Sequence, residues 1–503
     1  MSRTLKFFYN SISTAIYQII VMIVGIITPR IMLKYYGSEI NGLVSSITQF
    51  ISYFALVEAG LSGAATYALY KPLANDDYLS INGIISAARK FYNQAGYTFV
   101  FLIVGFSAFY SSYVKTDLLS KLEVGLLVLI LGTSGVLDFF TLSKYSVLLT
   151  ADQKTYVISL SSIIYVILNT IIIVILGTKQ INIVVLRLAA LLSVFLRTFI
   201  LMIYVKVNYK YIRYDAEPDT EALNKRWDAL YLQILGVIQT GIPIVILTLV
   251  TKDLKLVSVY SIFNMIIVGI NGILSIFHGG LSASFGDVIA RREKSVLQKS
   301  YTEFEFSYYT LITAVYSITF ITIMPFIRVY TSGINDINYD VPMIGFLFVL
   351  NGLLYNLKTP QGMLVISAGM YRETRVQSTI QGLIVVILGL VLTPSIGIYG
   401  ILIASILSNI YRDIDLMFFI PRNLTELPVI NSAIRILRVF MVILIICLPV
   451  KFIELNPGGY IQWIIHAIII GIYSCIIVLI ISLLFDRNAL KEVSNRVTGM
   501  VRR

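Results

Sequence analysis

Charge is scarce in this chain. Only 13% of its 503 residues are Asp, Glu, Lys or Arg, about half the share of a soluble domain. Cysteine, histidine and tryptophan occur twice each. Cys447 and Cys475 both lie in apolar runs, so they read as small packing residues and not as a disulfide framework. His278 and His466 are too few for a zinc cluster, and no metal or other cofactor is expected. No GxxxxGK[ST] motif occurs, which excludes a P-loop and direct drive by ATP. Long polar segments are missing as well, so any chemistry takes place within a membrane or at its faces.

Apolar sequence is what fills the chain. Hydrophobic residues make up 57%, in runs of about 20, the length that crosses a bilayer core as a helix. Lipid offers no partner to backbone groups, so a spanning segment is a helix or part of a closed barrel. A barrel would alternate apolar and polar residues over about ten positions, and these runs are continuous. The expectation is an all-α polytopic membrane protein with about 14 transmembrane helices. The runs cover roughly 11–33, 41–68, 91–113, 122–149, 156–177, 182–205, 228–250, 256–280, 304–329, 341–367, 376–393, 397–420, 434–453 and 460–485. "MSRTLKFFYN" has no cleavage site before the first run, which is therefore expected to be retained.

A net charge of +12 would suggest nucleic acid as the partner of a soluble protein. Here the distribution decides otherwise. With the N-terminus inside, 27 of the 39 Lys and Arg residues fall on inner segments, nine on outer ones and three within runs. That bias places both termini in the cytoplasm and makes the span number even. The expected location is the cytoplasmic membrane, with no nucleic acid partner.

The chain also repeats weakly. "EAGLSGA" from Glu58 matches "HGGLSAS" from His278, and "LVSS" from Leu43 matches "LVSV" from Leu256. The matches fall in the second and eighth runs, each followed by a charged loop. The expected organisation is two pseudo-symmetric six-helix lobes, 1–210 and 228–430. A polar cytoplasmic joint at 211–227 links them, and 431–503 supplies two further helices and a basic tail. Parallel halves of this kind are a transporter signature, with the substrate site between them.

Ionisable residues within the runs cost roughly 3 kcal/mol each at mid-membrane, so they are expected to face a wet cavity or one another. Arg30 follows Pro29 in "IITPRIMLKYYG", where it either binds an anion bidentately or snorkels to headgroups. Lys358, in "NGLLYNLKTPQGML", precedes Pro360 and Gly362, as in a broken helix beside a charge. An alignment of Ala151 with Ala368 brings Lys144 into register near Gln361, within a turn of Lys358, so the two could form a pair of cations, one per half. Arg187 and Arg197 lie ten residues apart on the sixth run, about 80° apart around its axis. These five are candidate contacts to an anionic head group. Glu58 and Asp138 both sit about 17 residues in from the outer ends of their runs. They either couple an ion or neutralise Arg197 or Lys358. His278 takes Glu58's place in the second repeat and could titrate. The small residues of "AGLSGA" and "GGLSAS" read mainly as close helix packing.

The segment "TPRIMLKYYGSEINGLVSSITQFISYFALVEAGLSGAATYALYKPLA", Thr28–Ala74, resembles the opening of Wzx-type polysaccharide flippases. These belong to the multidrug/oligosaccharidyl-lipid/polysaccharide exporter superfamily. "LLTADQKTY", Leu148–Tyr156, resembles the turn after their fourth span. The resemblance implies two lobes around a central cavity whose arginines meet the diphosphate of an undecaprenyl-linked sugar. By position, Arg30 is the comparable residue here. The function it implies is alternating-access transfer of an undecaprenyl-diphosphate-linked oligosaccharide from the inner to the outer leaflet. The cargo would be a capsule, teichoic acid or other polysaccharide unit. Membrane potential, protons or sodium are the candidate energy sources. The expected partners are the lipid-linked glycan, membrane lipids and polysaccharide biosynthesis enzymes, and the chain is expected to act as a monomer. A drug/cation antiporter of the same superfamily is the alternative, though its cavity should be acidic. A membrane glycosyltransferase or polymerase would need acidic pairs on large outer loops, and these loops are short.

Overall fold

In a computed structural model, the described residues form helices and short connections, with no strand among them. The description covers the chain except residues 1–2, 59, 221–225, 279–280, 451–452, 454, 488–489 and 491–503. Among the described residues, ten helices are long and apolar enough to cross a membrane. The chain is a multi-pass, all-α membrane protein.

The chain forms two compact units, Met1–Met265 and Ile266–Arg503. The first opens with α1, Arg3–Phe54, in which the first and second runs join directly at Gly37. Gly37 has φ 80°, a conformation that costs an L side chain about 1–2 kcal/mol, so glycine sits at the kink between the two helices. The second run is broken again. A short 3₁₀ turn, Ala55–Glu58, precedes Gly60 at φ 83° and α2, Leu61–Ala74. The helix outruns the expected boundary at 68. Its polar turn begins only at Asn75, whose N–H bonds the carbonyls of Lys71 and Pro72. Asp77 then caps α3, Tyr78–Tyr113, by accepting from the Ser80 N–H.

The fourth run is irregular too. It comprises α4, Lys121–Leu137, a π-turn at Asp138–Leu142, and α5, Ser143–Ala151. A full capping box, Ser120 with Glu123, sets the start of α4, where it satisfies orphan N–H groups. Helices α6, Thr155–Thr178, and α7, Ile183–Asn208, complete the bundle, and α8, Arg226–Thr251, and the first half of α9, Leu254–His278, follow. The core holds Tyr92, Tyr110, Phe99, Leu43 and Ile47, each nearly fully enclosed.

At one end of this unit Asp152, in the turn before α6, ties three elements. It accepts from Lys6 at 2.9 Å, Lys154 at 2.8 Å and the Tyr209 hydroxyl at 2.6 Å. Burial alone would raise its pKa. The bonds from Lys154, Tyr209 and Lys6 outweigh that and hold it below the usual value. The segment after α7 is stitched to α3, where Ser86 donates to the Ala216 carbonyl and Asn82 to that of Tyr211.

The second unit repeats the same succession. After α10, Leu281–Ala290, and α11, Lys294–Tyr330, the tenth run breaks into α12, Pro342–Leu357, and α13, Thr359–Ser367. A hairpin of α14, Arg375–Ile396, and α15, Ile398–Ile420, follows, then α16, Val429–Val450, and α17, Tyr460–Phe485. Among the described residues the interrupted runs are the second, fourth and tenth. Buried Glu305 anchors α16. It accepts from Tyr301, Gln361, Ser432 and Arg435 at 2.8, 3.1, 2.7 and 2.7 Å.

Candidate functional site

The breaks carry the charges. Glu58 ends the 3₁₀ turn, Asp138 opens the π-turn and Lys358 stands between α12 and α13. Interrupting a helix leaves carbonyls and N–H groups that need other partners, and such interruptions in a membrane occur where protein or water re-satisfies them.

In the first unit, Ser143 donates to Glu58 at 3.2 Å and to the Asp138 carbonyl at 3.0 Å. Ser143 thus links the break at Glu58 to the one at Asp138. Asp138 pairs with Arg197 of α7 at 3.8 Å, with 47% of the Asp138 side chain and 22% of the Arg197 side chain exposed. At that length the pair is electrostatic and not a direct hydrogen bond. Arg197 also lies over the ring of Tyr165, 5.8 Å from its centre.

Arg187 differs from Arg197 in having no acid. Its terminal nitrogen approaches the Met32 sulfur at 3.7 Å, and its enclosed Nε meets no acceptor. No carboxylate lies within ion-pair distance of it among the described residues. Arg30 is half-buried in α1, two residues before Met32. Lys144 belongs elsewhere. Its ammonium lies 5.1 and 5.2 Å from the ring centres of Tyr145 and Tyr214, beside Arg89 at the end of the bundle. The His278 side chain lies outside the described residues.

In the second unit Lys358 donates to Asn409 of α15 at 2.5 Å and lies 4.7 Å from the Tyr355 ring centre. Asn409 in turn donates to Asn351 at 2.9 Å. The order of the breaks aligns Lys358 with Asp138. The alignment through Ala151 paired it with Lys144, which lies a turn and a half further on. A single shift could not register both ends of a run whose interruptions differ in length.

Four charged residues escaped the sequence reading. Glu305 lies inside α11, and Arg412, Asp413 and Asp415 inside α15. Arg412, assigned to an inner loop, is buried two turns from the helix end and pairs with Asp415 at 2.5 Å. The available signal was a polar stripe, Ser405, Ser408, Asn409 and Arg412, at helical spacing in an otherwise apolar run. A cavity of about 940 Å³ in this unit is lined by Phe320, Phe346, Leu353, Ile443 and Leu448, with Arg328, Asp340 and Asn456 as its polar part.

No family profile and no curated protein matches the chain. Solved structures do. The lipid II flippase MurJ, in an inward closed conformation, superposes with a TM-score of 0.67 at 16% identity, covering 96% of this chain and 99% of that one. An inward-facing multidrug resistance MATE family transporter of the MOP superfamily gives 0.66 at 15% identity, covering 84% and 96%. The MATE multidrug transporter DinF-BH gives 0.61 at 12% identity, covering 85% and 98%. The chain thus has the MurJ fold over nearly its whole length, and shares it with the MATE transporters over 84–85%.

Proposed function

We propose that this protein is an alternating-access transporter that moves an undecaprenyl-diphosphate-linked oligosaccharide from the inner to the outer leaflet of the cytoplasmic membrane, with both termini inside. The carrying observation is Arg187. A guanidinium among membrane helices without a carboxylate is expensive, and a diphosphate matches its forked donors. Arg30 adds positive charge in the same unit, and the 940 Å³ apolar cavity of the second unit has room for part of an isoprenoid chain. The two repeats, 1–210 and 228–430, are the lobes in this reading, joined by 211–227, with 431–503 appended.

The alternative is a cation or drug antiporter, for which Glu58 and Asp138 would bind the cargo. Asp138 is already matched to Arg197, which favours the anion. Reconstitution decides between them. The protein is expected to translocate a fluorescent undecaprenyl-diphosphate sugar in liposomes, with the Arg187→Gln variant strongly impaired. Efflux of a cationic dye without glycolipid movement would overturn the assignment.

A further inference from the structure

The two repeats place an acid and a cation at corresponding positions, with the signs exchanged. In the first unit the residue at the break is the acid, Asp138, and the cation is Arg197 on the sixth span. In the second unit the residue at the break is the cation, Lys358, and the acid is Asp413 on the twelfth span. Asp138 and Lys358 are 220 residues apart, and Arg197 and Asp413 are 216 apart. The helices that hold them are offset alike, with α4 and α12 starting at Lys121 and Pro342, and α7 and α15 at Ile183 and Ile398.

The exchange changes the chemistry. A guanidinium holds its partners through a rigid planar fork, whereas an ammonium is a compact charge on a flexible stem that can move between acceptors. The surroundings differ as well. Asp138 lies within 4 Å of its arginine through an Oδ1 that is itself enclosed and accepts no hydrogen bond, while the rest of its side chain is partly exposed. Both oxygens of Asp413 are enclosed and accept no hydrogen bond. The Lys358 amine sits instead on Asn409, one helical turn from Asp413 and on the same face of α15. Other charges nearby are committed. Arg412 holds Asp415, Tyr309 donates to the Leu357 carbonyl, Glu305 accepts from four donors, and the Tyr355 ring lies against the ammonium itself.

We propose that Lys358 and Asp413 form a proton-exchanging pair in the second unit, the Lys358 amine moving between Asn409 and Asp413, and that Asp138 with Arg197 is its fixed-charge counterpart. When the pair holds two protons, the ammonium bonds Asn409 and Asp413 is a neutral carboxylic acid. Loss of the carboxyl proton to water leaves a carboxylate, and the ammonium crosses one turn to meet it. The net charge of the pair falls from +1 to zero, and uptake of a proton from water reverses the step. Because α12, α13 and α15 all contribute, the movement couples proton occupancy to how these helices pack. This does not depend on which cargo is carried.

Infrared difference spectroscopy of the full-length protein in lipid tests it, by following the carbonyl stretch of protonated carboxyl groups across a pH titration. The wild type is expected to show a titrating band that is lost in Asp413→Asn. The band is also expected to be lost from the same pH window in Lys358→Arg, whose fork reaches both acceptors at once. It should persist in Asp138→Asn. Absence of a titrating band in the wild type overturns the proposal, as does its survival in Asp413→Asn or Lys358→Arg. So does its disappearance in Asp138→Asn. If Asp413→Asn fails to fold, the other two variants still decide, with thermal unfolding as the check that each is native.

Discussion

The Asp138 carboxylate and the Arg197 guanidinium face each other across 3.8 Å, where the fourth span widens into a π-turn. The turn rotates Asp138 off the regular helical position, and α7 supplies the charge that meets it. An acid read from sequence as an ion coupler or a structural partner thus has a partner.

The pair is long and its acid is partly exposed, so its contribution is small. Replacing Asp138 with Asn is expected to cost about 1 kcal/mol or less. A double-mutant cycle with Arg197→Gln, read by thermal unfolding, should return a coupling of similar size. A coupling of several kcal/mol would show that the site is drier than its exposure implies.

Arg187 should behave differently, since no acid is left behind when it is removed. Arg187→Gln is expected to leave the unfolding temperature nearly unchanged. Binding of undecaprenyl diphosphate in micelles should weaken about tenfold, or about 1.4 kcal/mol. Arg187→Lys should recover part of it, because the charge returns without the fork.

Glu305 anchors the thirteenth span, and its carboxylate is almost completely enclosed beside Arg435. Glu305→Ala strands that arginine, and a loss of about 3–5 kcal/mol is expected. The unfolding transition measures it. Adding Arg435→Leu should restore much of the loss, as no buried charge then remains.

Asp152 makes stability pH-dependent at one end of the first bundle. Its folded pKa lies below the unfolded value, so its contribution is fully present above the unfolded pKa. That contribution disappears as pH falls through the folded one. Wild type should therefore lose stability on acidification relative to Asp152→Asn, which should be less stable by about 2 kcal/mol at neutral pH. Parallel pH profiles for the two proteins would contradict this.

Gly60 holds the backbone at φ 83° directly below Glu58. Gly60→Ala is expected to cost about 1–2 kcal/mol and to disturb the Ser143 bond to Glu58. Unfolding temperature and the transport rate should fall together.

The all-helical membrane fold was legible because bilayer thickness and backbone hydrogen bonding leave an apolar run of about 20 residues few choices. The repeat was legible in two short motifs, "EAGLSGA" and "HGGLSAS". Candidate charges could be found because any ionisable residue in such a run stands out. Glu305 and Asp413 lie inside the expected runs 304–329 and 397–420 but within about two turns of their ends, where a charge is ordinary, so neither stands out in the sequence.

Partnership was a different matter. Whether Asp138 meets Arg197 or Lys358, and whether Lys144 belongs with either, depends on helix rotation and on the extra residue of a π-turn. Apolar composition is indifferent to both. The sequence by itself determined that this chain spans the membrane as helices and that buried charge recurs in both halves. Only the tertiary structure decided where those helices break and which charges meet. A broken helix is tolerated only where neighbouring segments supply the missing bonds, and those neighbours are distant in sequence.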